Sequence, residues 1–303
     1  MLPKLEGYAA ALFESLDAQS LTKVADELAN LEQTILARAD LRAVMSDTSI
    51  TGVARGLIVH DLLDAKVQPA TLRVVVFAAQ NVPAQEVDRA IAELATAAHV
   101  LKDTGAFAQS SLGLLAARQR VGGFADALLD EVDTSNFDEI EDELFRWART
   151  VESNLELRRL LLDRDAALEA RLGTVRQLLA GKVNDITLRL ALFTIEGGRP
   201  RDVVGTLDYL VDYVAHARDW RVARVRSARE LDEMSRTALS ASLHSLTGKN
   251  VELQVTDEPS LLGGVLVDVG DLHLDATTQG RLSELHEAVA GGRFYDTALT
   301  NND

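Results

Sequence analysis

Residues 5 to 17, LEGYAAALFESLD, place Leu5, Tyr8, Ala9, Leu12, Phe13 and Leu16 three and four apart, so one face of a helix is apolar and the other carries charge. A second stripe runs through Leu21, Val24, Leu28, Leu31 and Ile35, with Ser20 where an N-cap would stand. Shorter helices are predicted over 41–45 and 50–63, separated by the turn SDTS. Pro69 and Pro83 each mark the first turn of a further helix, where a missing N–H costs nothing and a fixed φ helps. The pattern predicts about six helices by residue 102, joined by the short loops of a bundle.

The same pattern returns. Sliding the chain 116 positions against itself without a gap lays AKVQPATLRVVVF (65–77) on GKVNDITLRLALF (181–193). Leu12 then falls on Leu128, Thr34 on Thr150, Asp47 on Asp163 and Arg55 on Arg171, with the apolar stripes in phase throughout. Repeats of this kind betray shared architecture. The expectation is a mainly α protein with two tandem six-helix bundles, over 1–104 and 120–219, joined by a connector at 105–119. The duplicated unit is expected to be self-contained.

From residue 220 the rhythm changes to a small α+β domain, 220–303. WRVARVRSA carries Val222 and Val225 among arginines and reads as a strand with one solvated face. An amphipathic helix follows over 230–246, ended by Gly248 in LTGKN, where a left-handed cap is expected. Val251, Leu253 and Val255 alternate onto one face of a strand. Pro259 cannot donate to a ladder and belongs at an entry to the sheet, while Gly263 and Gly264 permit a bulge or a close backbone approach. Val265, Val267 and Val269 share a face, Gly270-Asp271 signals a hairpin, and Leu272 and Leu274 return. Asp275 is placed to cap a last helix carrying Leu282, Leu285 and Val289.

Charge and composition narrow the function. Asp plus Glu number 47 against 31 Lys plus Arg, a net charge of −16, which argues against general affinity for nucleic-acid backbones or anionic lipid surfaces. The arginines of 218–229 carry no interleaved aromatic platform and the whole chain is acidic, so no nucleic-acid partner is expected. With no cysteine there is no disulfide framework and no thiol nucleophile or ligand. Apolar runs such as 74–79 fall far short of a membrane span, and Glu6 stands where a signal peptide would be apolar, so an intracellular protein without direct membrane insertion is expected.

No catalytic constellation stands out. The six histidines (60, 99, 216, 244, 273 and 286) form no ligand pair of the H-E-x-x-H kind. No nucleophile elbow, P-loop or dinucleotide fingerprint appears, and carboxylate pairs such as Glu141-Asp142 belong to charged helix faces. The protein is expected to be no enzyme and to need no cofactor or metal.

Two stretches resemble a known family, the δ subunit of F-type ATP synthases, which is similar to the mitochondrial oligomycin sensitivity conferral protein. GYAAALFESL is similar to the family's opening helix. LTGKNVELQV and then EPSLLGGVLVDVGDLHLDATTQGRLSEL resemble its C-terminal hallmark, carried here by Pro259, Leu261, Gly263, Gly264, Gly270, Asp275, Arg281 and Leu282. Glu258 and Ala276 depart from the family's usual Asp and Gly. Removing one 116-residue repeat from 303 residues leaves 187, about an ordinary member's length, so the resemblance implies an actinobacterial-like form with a second bundle inserted.

The resemblance further implies a non-catalytic stator, or peripheral-stalk, subunit on the cytoplasmic face of the bacterial cell membrane. It would link the N-terminal helices of the α subunits, atop the catalytic head, to the C-terminal end of the b-subunit stalk. The candidate head-binding face is Tyr8, Leu12, Leu72, Val75 and Val76 in the first copy. Its counterpart in the second is Phe124, Leu128, Leu188 and Phe193. A generic helical adaptor, or an acidic chaperone for basic peptides, is the alternative; it accounts for residues 1–219 and not for the C-terminal signature.

Overall fold

The computed structural model describes residues 1–105, 112–163, 165–219, 221–247, 251–270 and 272–282. It is mainly helical with a small sheet near the C-terminus, and it divides into two compact units, Met1–Ala217 and a second beginning at Arg218.

The first unit opens with α1 (Pro3–Glu14), α2 (Ala18–Ala37), α3 (Ala39–Ser46), α4 (Gly52–Leu63), α5 (Pro69–Asn81) and α6 (Val87–Thr104). Then come α7 (Leu114–Leu129), α8 (Phe137–Ser153), α9 (Leu155–Leu162), α10 (Leu168–Leu179), α11 (Asp185–Glu196) and α12 (Val203–Asp219). Two boundary residues differ from expectation. Asp17, not Ser20, caps α2: its carboxylate accepts the Ser20 N–H at 2.7 Å, which puts Ser20 at the third helical position. Pro69 does open α5, but Pro83 is extended and precedes a 3-10 turn, Ala84–Glu86, that leads into α6. Helix α7 starts inside the predicted connector.

Geometry recurs 116 positions apart. Helices α3 and α9, and α4 and α10, have boundaries separated by that number at both ends. The Glu27 carboxylate accepts the Gln68 N–H at 2.9 Å and the Thr71 hydroxyl at 2.6 Å; Glu143 does the same for Asn184 and Thr187 at 2.9 and 2.6 Å. Each carboxylate thereby satisfies orphan donors at the start of a helix, α5 or α11, where negative charge is also favoured by the dipole. Tyr8 stacks on Phe77 with centroids 3.8 Å apart, and Phe124 on Phe193 at 3.7 Å.

Helix α1 packs most extensively not on its own half but on α7. The two cross at glycines. A Cβ built on Gly7 would lie 1.7 Å from the Arg120 carbonyl oxygen, and one on Gly123 would lie 1.8 Å from that of Lys4. Neither helix can carry a side chain there, so the backbones meet directly. Around the crossing the contacts are reciprocal: Lys4 pairs with Asp126 at 3.0 Å and Arg120 with Glu6 at 3.1 Å. Arg73 donates to the Ala127 carbonyl at 2.8 Å, and Arg189 to that of Ala11 at 3.4 Å. One continuous apolar core therefore runs through both halves.

The second unit contains β1 (Val222–Ser227), α13 (Glu233–Thr247), β2 (Glu252–Asp257), β3 (Val265–Val269) and β4 (Leu272–Asp275), in sheet order β2-β1-β3-β4. Strands β1 and β2 are parallel, which requires a crossover, and α13 supplies it. The remaining pairs are antiparallel, with Val269 opposite Leu272 across the predicted hairpin. In β1 the inward residues are Ala223, Val225 and Ser227, so Val222 is not on the buried face with Val225; Arg224 and Arg226 point to solvent. Leu243 of α13 packs with Val251, Val267 and Val269 on the core face. Asp232 caps α13, accepting the Ser235 N–H at 2.8 Å. Gly248, Asp271, Leu285 and Val289 lie outside the described residues.

The crossing makes opposite predictions for two helical glycines. Gly7→Ala should destabilise the first unit by about 3 kcal/mol, because the new methyl is forced against backbone that cannot retreat. Gly173→Ala in α10 meets nothing within 4 Å and should stabilise by about 0.5–1 kcal/mol through helix propensity. Urea denaturation of both variants checks the pair.

Candidate interaction surfaces

The predicted head-binding face folds largely inward. Tyr8, Leu12, Val75, Phe124, Leu128 and Phe193 are buried, packed where α1, α5, α7 and α11 meet. Leu72, Val76 and Leu188 are half-buried and keep some surface. The Tyr8 hydroxyl donates to Asp130 at 3.1 Å and that of Tyr213 to Asp126 at 2.9 Å. Burial, and then the neighbouring carboxylate, push both phenols well above their ordinary range, so both stay protonated donors. Periodicity marks such residues as apolar-facing but does not say which neighbour covers them. The signal for the crossing was present in the repeat, where Gly7 falls on Gly123 and Tyr8 on Phe124.

Open apolar surface lies elsewhere on the first half. A cavity of about 390 Å³ opens between α2 and α4, with Leu31 and Ile35 on one side, Ile58 and Leu62 on the other, and Val75 among the residues lining it.

In the second unit the C-terminal motif builds a backbone clasp. The Glu258 N–H donates to the Ser227 carbonyl, extending the β1–β2 ladder, and the turn at Pro259 closes with the Leu261 N–H on the Glu258 carbonyl at 3.0 Å. Pro259 thus sits just past β2, at an exit from the sheet as well as on the way into β3. Gly264 has φ +85°, and a Cβ there would meet the Ala276 carbonyl oxygen at 2.2 Å. That close approach lets the Ala276 N–H reach the Val265 carbonyl and the Thr278 N–H reach Gly263. Gly270 has φ +52°, as its hairpin turn demands.

Asp275 stands two residues before the cap position it is expected to fill. Its carboxylate accepts the Thr277 hydroxyl at 2.6 Å and the Thr277 N–H at 2.9 Å, and the Thr277 hydroxyl in turn accepts the Gly280 N–H at 3.0 Å. Thr277 is the cap, and Asp275 orients it. Arg281 and Leu282 follow in this last helical turn, both exposed. The clasp leaves Leu262 76 % and Leu282 56 % exposed.

Among the described residues no three His, Asp or Glu side chains are grouped to hold a metal ion, and no helix is long and apolar enough to cross a membrane. His273 meets Asp268 at 2.6 Å on the sheet surface, and Arg226 flanks the same carboxylate at 3.7 Å.

Comparison with known proteins places the chain: the ATP synthase delta (OSCP) subunit family matches residues 6–108 and 121–289, and the chain belongs to that family. It is 32 % identical to ATP synthase subunit delta of Streptomyces griseus over 93 % of this chain and 97 % of that one. The delta subunit of Corynebacterium urealyticum is 33 % identical over 81 % and 92 %, and that of Salinispora arenicola 30 % over 92 % and 93 %.

The clasp has a defined pH response. Hydrogen bonds from the Thr277 hydroxyl, then its N–H, hold the Asp275 carboxyl below its ordinary value of 3.8. A depressed carboxylate contributes stability above the unfolded value and loses it as pH falls through the folded one. The Thr277 amide signal should therefore be unchanged across neutral pH and move only in acid below pH 3.8, which an NMR titration reads directly.

Proposed function

We propose that this chain is the stator subunit that ties the catalytic head of a proton-driven F-type ATP synthase to its peripheral stalk. The observation that carries the reading is family membership over both the helical unit and the C-terminal clasp, in a chain matching its relatives over nearly their full length. Its role is mechanical: it bears torque and catalyses nothing, and it works at the cytoplasmic face of the bacterial membrane as part of the complex.

The helical unit meets the N-terminal helices of the α subunits, and the second unit meets the C-terminal end of the b subunit. For the stalk contact, Leu262 and Leu282 are the anchors that the clasp presents. For the head contact, Tyr8, Leu12, Val75, Phe124, Leu128 and Phe193 act by locking the halves of the helical unit together, with Leu72, Val76 and Leu188 at the edge of the surface. Several modest contacts within one assembly raise each other's effective concentration, so the link holds without covalent chemistry.

The halves 1–104 and 120–219 are two six-helix bundles that arose by duplication, with 105–119 the join and 220–303 the stalk-binding domain. Matching helix boundaries, paired carboxylates and paired ring stacks at one offset support this, as does the break in the family match between 108 and 121.

Synthase depleted of this subunit should lose proton-driven ATP formation and regain it when the protein is added back, while ATP hydrolysis by the detached head stays unchanged. Undiminished coupling without the subunit would overturn the reading. Leu262→Glu should weaken binding to the b subunit about tenfold while leaving head binding intact.

A further inference from the structure

The joint between α1 and α7 mirrors itself. Gly7 meets the carbonyl of Arg120 and Gly123 meets that of Lys4; the two glycines lie 116 positions apart, and so do Lys4 and Arg120. Arg73 donates to the Ala127 carbonyl and Arg189 to that of Ala11, with the donors and the acceptors each separated by the same 116 positions. An interface in which i touches j and the equivalent of i touches the equivalent of j is isologous, with the same patch on both sides, as in a two-fold homodimer. Here both patches belong to one chain.

An isologous patch has to complement itself, and each half carries the charges to do so. Lys4 is the cation of the first half and Arg120, at the equivalent position, that of the second; the carboxylates are Glu6 and Asp126. In the folded chain they pair crosswise, Lys4 with Asp126 and Arg120 with Glu6. A second copy of the first half, set in place of the second, would bring its own Lys4 to where Arg120 stands, against Glu6. A second copy of the second half, set in place of the first, would bring Arg120 to where Lys4 stands, against Asp126. Each face thus keeps an ion pair and a glycine crossing with its own kind.

We propose that the faces meeting at the α1–α7 joint are self-complementary docking surfaces whose other partner is a second copy of this chain, so that the helical unit holds inside one chain the joint of a two-fold dimer. The native chain closes on itself because its connector keeps the two faces at high effective concentration. Once that closure is made repulsive, two chains pair first half with first half and second with second, a closed arrangement that leaves neither face open. The inference rests on the duplication reading above for the matching of positions 116 apart.

The test reverses charges in the full-length protein and reads its mass by sedimentation equilibrium across a concentration series. Lys4→Glu combined with Glu6→Lys sets like charges against Asp126 and Arg120 within one chain, at a site where Arg120 and Glu6 are only 5 % and 9 % exposed and mismatched charge is costly. Between two first halves the exchanged charges still pair, so this double variant should have twice the wild-type mass. Arg120→Glu combined with Asp126→Lys makes the same change from the α7 side and should also dimerise. Lys4→Glu alone, repulsive in both arrangements, should stay monomeric. All four substitutions together restore the crosswise pairs and should return the monomer. Monomer mass in either folded double variant, or loss of fold in both, would overturn the proposal; the duplication reading would stand, since it also rests on helix boundaries and hydrogen bonds within each half.

Discussion

Two glycines that admit no side chain set the form of the helical unit. Ala would be the better helix former at positions 7 and 123, yet a methyl at either would overlap a carbonyl oxygen of the opposing helix. Sterics outweigh propensity here, and the consequence spreads outward. Because α1 and α7 meet backbone to backbone, Lys4 and Arg120 reach carboxylates on the other helix, while Arg73 of α5 donates to a carbonyl of α7 and Arg189 of α11 to one of α1. The ring stacks of Tyr8 on Phe77 and Phe124 on Phe193 lie beside the same crossing. Interiors packed this closely have low compressibility and transmit strain.

Much of this was legible from residues alone. The apolar stripes located the helices, and the ungapped repeat anticipated that α3 and α9, and α4 and α10, would share boundaries. What covers an apolar stripe was not legible: Tyr8 and Phe124 show the same periodicity whether a partner protein or α7 lies against them. Capping failed for a related reason. Ser20 and Asp17 are both good cap residues, and choosing between them depends on where the first turn closes. An acidic residue ahead of a helix predicts a cap at Asp275, but Thr277 lies nearer the free N–H groups and takes that role with Asp275 behind it. The carboxylates of Glu27 and Glu143 gave no local signal, since their partners lie 41 and 44 residues away.

The C-terminal motif illustrates how a family signature can be architectural rather than reactive. Gly264 exists for the passage of Ala276, Gly270 for a left-handed turn, and Asp275 for the orientation of Thr277. Together they fix a short stretch of backbone from which Leu262 and Leu282 project. The helical unit follows the same logic on a larger scale: Gly7 and Gly123, with the ion pairs around them, close the unit on itself.

The central claim is that α1 and α7 form one cooperative joint, so that neither half of the helical unit opens without the other. Native-state amide hydrogen exchange measures this most directly. The account predicts that the slowest amides of α1 and α7 share a single opening free energy equal to that of the whole helical unit. Amides of α7 that exchange through a separate, lower-energy opening while α1 stays protected would contradict it.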